Sequence, residues 1–288
     1  MRLLIRSLLL ILVALLLGSC SAVRLGYANA DSLARWWIDQ YLDLAPEQDA
    51  LVRERLARYF AWHRKTQLPD HVSLMRQGQK LAVAQTTVAD ALSLGDELIR
   101  RGRILAEQAT PDIADLLPTL TPAQIERTAA RQTEKNTDYA KEARLAEGEA
   151  GQRKARYKRL LERSEYWFGD FSNEQEAALR RMVDAQDPGG QFWYEERLRR
   201  QRDWLSLVRQ VQRERPSRER VIQMLRDYAA RFDLPTEPAR LAQAIALRRA
   251  SAELAVAIHA LMTPAQREHA RHKLDDLIHD FSELSRTE

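Results

Sequence analysis

Apolar residues recur along this chain with the 3.6-residue period of a helix almost from end to end. In residues 31–44, DSLARWWIDQYLDL, the positions Leu33, Trp36, Trp37, Tyr41 and Leu44 fall along one broad face, and Asp31 or Ser32 is placed to cap it. Over 46–65 the pattern returns with Leu51, Leu56, Tyr59, Phe60 and Trp62. The final stretch sets Ala270, Leu274, Leu277, Phe281 and Leu284 on one stripe. Breaks in the pattern coincide with proline and glycine, near Leu68-Pro69, Gly95, Gly102, Pro111, Pro118, Gly169, Pro188-Gly189-Gly190, Pro216 and Pro235. No stretch alternates apolar and polar residues with β-branched enrichment, so no strand is expected. The pattern predicts an all-α protein, a multi-helix bundle or bundles; the Trp36-Trp37 pair could dip into a membrane interface, but its helical spacing beside Leu33 and Tyr41 places it in the core.

One region departs from this periodicity. Residues 126–160, ERTAARQTEKNTDYAKEARLAEGEAGQRKARYKRL, are strongly charged and carry few large apolar side chains. A helix this polar is an exposed rod or a solvated hairpin arm. The expectation is a long helix, or a helical hairpin broken near Gly148 and Gly151, projecting between an N-terminal bundle (31–125) and a C-terminal bundle (161–288).

A five-residue phrase is written four times: LAPEQ (44–48), LTPAQ (120–124), FSNEQ (171–175) and MTPAQ (262–266). In the second copy Thr121 suits a helix N-cap, Pro122 the first helical position and Gln124 the third. Thr can accept from the third amide while Gln reaches back to the cap amide. Leu120 and Ile125 flank this box as a hydrophobic staple. Thr263 with Gln266 and Ser172 with Gln175 read the same way, whereas Ala45 is a poor cap. A box that works only through its oxygen would tolerate Gln266→Glu. The phrase is also similar to the LTxxQ phrase of small helical periplasmic stress proteins of the Spy and CpxP type, and that resemblance implies a chaperone or stress-modulating role.

The first residues have their own chemistry. Residues 1–19, MRLLIRSLLLILVALLLGS, combine Arg2 and Arg6 with an unbroken apolar run from Leu8 to Leu17. That run is short for a bilayer span of about 20 residues, and it reads as a secretory signal. Leu17-Gly18-Ser19-Cys20 then resembles the lipobox of bacterial lipoproteins, which implies cleavage before Cys20 and acylation of its thiol and amino group. Cys20 is the only cysteine, so the chain forms no internal disulfide. Residues 20–30 read as the lipidated cysteine and an extended tether. Ser21, rather than Asp, implies sorting to the outer membrane. Loss of Arg2 and Arg6 takes the net charge from +4 to +2, which argues against a nucleic-acid partner.

A wider resemblance covers nearly the whole chain after the signal. The stretches CSAVRLGYANADSLARWWIDQYLDL, WHR at 62–64, LERSEYWFGDFSNEQ at 161–175 and MTPAQR near the C-terminus look like a proteobacterial lipoprotein family, the DUF6279-type proteins, known only as a domain of unknown function. It implies an envelope lipoprotein and supplies no catalytic residues.

Candidate chemistry is sparse. His269, His272, Asp276 and His279 share one face of the last helix and could together hold a divalent metal, but an exposed polar face explains them as well. Nine arginines between Arg197 and Arg220, and six basic residues between Arg153 and Arg163, could meet lipid phosphates or acidic clients. GxSxG, HExxH and a Gly-rich phosphate loop are absent, and no cofactor or catalytic residue is expected. The expected function is therefore binding: a lipid-anchored scaffold or accessory subunit with an envelope protein partner, or else a chaperone-like holder of unfolded clients.

Overall fold

A computed structural model describes residues 22–286, so the signal segment and Cys20 lie outside the described residues. Within them every regular element is helical. In order these are α1 (Ala22–Ala28), α2 (Ala30–Leu42), α3 (Pro46–Trp62), α4 (Leu68–Val83), α5 (Val88–Leu116) and α6 (Pro122–Glu142). They continue with α7 (Gly148–Phe168), α8 (Asn173–Asp184), α9 (Gly190–Glu214), α10 (Arg218–Ala230), α11 (Pro238–Leu261) and α12 (Pro264–Arg286). The all-α expectation holds.

Several positions read as breaks are not. Helix α5 runs through Gly95, Gly102 and Pro111 without interruption. At Leu68-Pro69 the chain passes from α3 to α4 through one π-helical turn, His63–Gln67. Pro69 lies in the first turn of α4, where its missing N–H is not needed. The 126–160 region is a hairpin: α6 ends at Glu142, Arg144 takes a left-handed conformation, and α7 starts at Gly148. Its arms pack rather than project. α6 lies on α2 and α9, and α7 lies on α8 and α12.

The repeated phrase starts α3, α6, α8 and α12, and the copies meet in pairs. Gln48 and Gln124 exchange side-chain amide bonds, with Gln124 Nε2 donating to Gln48 Oε1 at 2.6 Å and Gln48 Nε2 donating back at 3.2 Å. Gln175 and Gln266 do the same at 2.8 and 3.1 Å. Each Gln oxygen also accepts from the amide at its own helix start, at 2.9–3.0 Å. Each Gln nitrogen donates to the carbonyl two residues ahead of its partner's cap: Thr119, Asp43, Leu261 and Asp170. Two pseudo-twofold joints result, each locking two helix starts together. The expected tolerance of Gln266→Glu is thereby overturned, because a carboxylate keeps the capping acceptor and loses both donated bonds. Ala45 supplies no capping oxygen, yet Gln48 still holds the Ala45 amide, so the first copy survives its poor cap.

The core forms around these joints. Ala114, Leu117, Leu120 and Ile125 are buried with Leu207, Val208 and Val211 of α9 and Val221, Met224 and Leu225 of α10. Around the second joint Tyr157, Phe171, Leu179 and Val183 meet Leu254, Ile258 and Met262. Phe192, Ala244 and Leu247 close α9 on α11. There Gly189 is left-handed (φ 67°), and a Cβ on it would stand 3.1 Å from Leu247. Helix α4 packs along α12, and α5 packs against both α10 and α11. The packing thus interleaves segments from before and after the hairpin, rather than forming one bundle from 31–125 and another from 161–288.

The supposed tether differs too. Residues 22–28 are helical, and Arg24 pairs with Asp280 of α12 at 3.1 Å. The Tyr27 hydroxyl is hydrogen-bonded to His63 Nδ1 at 2.8 Å, and its ring meets Phe60 edge-on. These partners come from distant chain positions, which is why a local reading left the segment extended.

Candidate functional site

Helix α2 is held at its end by the first joint, but along its length it leaves space on both sides. On one side a cavity of about 200 Å³ is bounded by Ile38, Leu51, Leu56, Tyr59, Ile113 and Leu116. On the other a larger one, about 460 Å³, lies among Trp37, Tyr41, Leu42, Leu117, Leu120, Trp204, Leu205 and Val208. Ile38, Ile113 and Leu116 border both. The result is an apolar groove along α2, walled by α3 and α5 at the first cavity and by α5, α6 and α9 at the second, with Ile38, Ile113 and Leu116 between them.

The larger cavity continues into a third, about 440 Å³, across the shared residues Gln132, Gln201 and Trp204. Here the lining changes character to Tyr139, Trp193, Arg197, Arg200, Tyr228 and Phe232. Arg197 is aimed by Asn136, whose Oδ1 accepts from its Nε at 2.7 Å, and Asn136 is itself fixed by Gln201. The Arg200 guanidinium sits 4.9 Å from the Phe232 ring centroid, and its buried Nε has no hydrogen-bond partner. Burial, with the neighbouring Arg199 charge, lowers the pKa of Arg200 from its ordinary value. Burial also pushes the Tyr228 hydroxyl up to about 12, so it stays a neutral donor, here to the Arg200 carbonyl at 3.3 Å.

The local charge balance decides what this end can accept. Glu196, 1% exposed, could have neutralised the arginines, but it is held by Arg199 and Arg240, both at 2.8 Å. Burial raises the Glu196 pKa, and the bonds to these two arginines outweigh it, so the carboxyl stays below its usual range. Among the described residues, Arg197 and Arg200 make no carboxylate contact within 4.0 Å; Arg202, Arg215 and Arg220 of the same arginine-dense stretch also make none, whereas Arg199, Arg209, Arg213 and Arg218 are ion-paired, and only Arg197 and Arg200 line the cavity. An anionic group with an apolar neighbour fits the site chemically: charge on the guanidinium pair, apolar bulk along Trp204 and Leu205.

The sequence-predicted positions fall elsewhere. His269, His272, Asp276 and His279 lie on an exposed face of α12, and His272 pairs with Glu268 at 3.1 Å. Among the described residues no group of three His, Cys, Asp or Glu side chains is placed to hold a metal ion. Trp36 and Trp37, expected in the core, are 60% and 58% exposed, because α2 turns its other face to α3 and α6. The groove was missed. Its one local signal is α9, where Trp204 and Leu205 extend the apolar face beyond the stripe of Leu207, Val208 and Val211.

Comparison with known proteins places the chain but not its activity. The family described as Family of unknown function (DUF6279) matches residues 40–232. The chain belongs to that family. No curated protein and no solved structure matches it. No helix of the described residues is long and apolar enough to cross a membrane.

Proposed function

From membership of a family without an assigned activity, we propose that this protein is a lipid-anchored binding protein of the cell envelope. Cys20 carries the lipid, the outer membrane is its site, and the helical body faces the periplasm. It acts without catalysis, as a scaffold or accessory subunit that docks an apolar segment of a protein partner in the groove beside α2. The observation that carries this reading is the junction of a divided apolar groove with two arginines that find no carboxylate among the described residues. Separate pockets on either side of Ile38 suit successive side chains of one segment, as in helix-in-groove recognition. The arginine end selects an acidic residue in that segment.

The test uses two short amphipathic peptides with the same apolar positions, one ending in Glu and the other in Lys. Fluorescence anisotropy on the full chain is expected to show the Glu peptide binding about tenfold tighter. That preference is expected to vanish in Arg197→Gln/Arg200→Gln, while Trp204→Ala weakens both peptides. Equal affinities for the two peptides in the unaltered protein, with suppression of aggregation of unrelated unfolded clients, would favour the chaperone-like alternative instead.

A further inference from the structure

Helices α1 and α2 present an apolar outer face. The most exposed residues between Ala22 and Trp37 are uncharged, in a protein whose residues are 30% charged. Four of them are large and apolar: Leu25, Leu33, Trp36 and Trp37, each more than half exposed. The charged residues of the same stretch are only partly exposed and each has a partner within the protein, although the Arg35 side chain keeps 40% of its surface open. Arg24 pairs with Asp280, Arg35 pairs with Asp49, and Asp31 accepts from the Ser32 amide. Asp39, one turn on, accepts from the Leu44 amide at 2.9 Å.

Water is a poor solvent for this face. A contiguous apolar patch of this kind marks a surface that something else covers. The chain itself indicates what. Residues 1–21 stand outside the described structure and end directly at α1, and their apolar run Leu8–Leu17 closes only a few residues before it. Whether membrane attachment is through that run or through lipid on Cys20, the bilayer lies within a few residues of Ala22. The docking of α1 on α12 and on the His63 turn removes the slack that a flexible tether would provide. Tryptophan is the side chain most favoured at the headgroup level, and helices with an uncharged aromatic face lie in the interface plane.

We propose that the outer face of α1 and α2, centred on Leu33, Trp36 and Trp37, rests in the headgroup region of the membrane to which the chain is anchored. The body then has a fixed orientation, with Trp37 at the boundary between the bilayer and the mouth of the groove. This rests on the anchored reading above for its membrane, and on the exposed face alone for its contact.

The test takes the full lipidated chain reconstituted into vesicles of phosphatidylethanolamine and phosphatidylglycerol, with either ordinary or brominated acyl chains. The chain has six tryptophans, so bromolipid is expected to quench roughly one third of the emission if all contribute alike. In Trp36→Phe/Trp37→Phe that quenching disappears while the melting temperature is unchanged. Failure of the unaltered chain to float with vesicles would defeat the anchored reading. Flotation with no bromolipid quenching, or with quenching that survives the double substitution, would defeat the proposed contact. Shielding of Trp36 and Trp37 from aqueous acrylamide without bromolipid quenching would point to a second copy of the chain and likewise overturn it.

Discussion

At the scale of single residues the paired glutamines matter most, because each performs three tasks with one amide. Gln124 caps α6 through its oxygen and, through its nitrogen, holds both Gln48 and the Asp43 carbonyl. Gln124 and Gln48 are 8% and 6% exposed, so a lost partner is not replaced by water. Thr121→Ala removes a hydroxyl that accepts from the Gln124 amide and donates to Gln124 Oε1, and is expected to cost about 1 kcal/mol. Gln124→Glu keeps the cap but takes the side-chain donor from the Asp43 carbonyl and sets a carboxylate oxygen against the Gln48 oxygen, at about 2 kcal/mol or more. Denaturant unfolding of the two variants checks the order. If Gln124→Glu proves the milder, the amide pair contributes nothing. The phrase is legible in the sequence as helix grammar, since cap and third position are local. Its pairing is not, because the copies that meet are 76 and 91 residues apart.

At the scale of elements the junction of α1, α3 and α4 links the N-terminal end of the described body to pH. His63 starts the π-helical turn and contacts Tyr27, Tyr59, Phe60 and His71. Burial, with a smaller contribution from the His71 charge, lowers its pKa from 6.5 to about 4. Burial likewise lowers that of His71, outweighing the nearby Asp70. A neutral His63 is what the folded state selects. Its contribution to stability is complete above about pH 6.5 and is lost as the pH falls towards 4, because the unfolded state takes up the proton first. Acidification over that window is expected to speed hydrogen exchange in residues 22–28, after correction for intrinsic rates. In His63→Phe the window should flatten. In the sequence the WHR stretch at 62–64 carries only a family likeness. Its role depends on Tyr27, 36 residues away, folding back onto it.

For the whole molecule the interleaving of segments predicts a single cooperative unit. Ala114 to Ile125 share one core with Leu207 to Leu225, and α4 lies along α12. Chains cut at the hairpin turn, 22–142 and 143–286, are each expected to lack a sharp thermal transition, and mixing should restore one. Two independent transitions, matching those of the separate pieces, would mean that the halves fold alone.

Composition and periodicity by themselves determined the helical class, the starts of α6, α8 and α12 and the exposed histidine face, because each is set by neighbours within a turn or two. Tertiary structure decided the rest. Trp36 and Trp37 satisfy the helical period whichever way α2 faces, and only the packing of α3 and α6 turned them outward. The arginines from 197 to 220 are alike in sequence. Arg199 and Arg213 pair with carboxylates of their own helix and Arg209 and Arg218 with Glu126 and Asp115 of other helices, whereas the packing sets Arg197 and Arg200, without an ion pair among the described residues, at the end of the groove. Which side of a helix is buried, and which charge goes unpaired, are properties of the neighbours that a fold brings together, and the local pattern does not contain them.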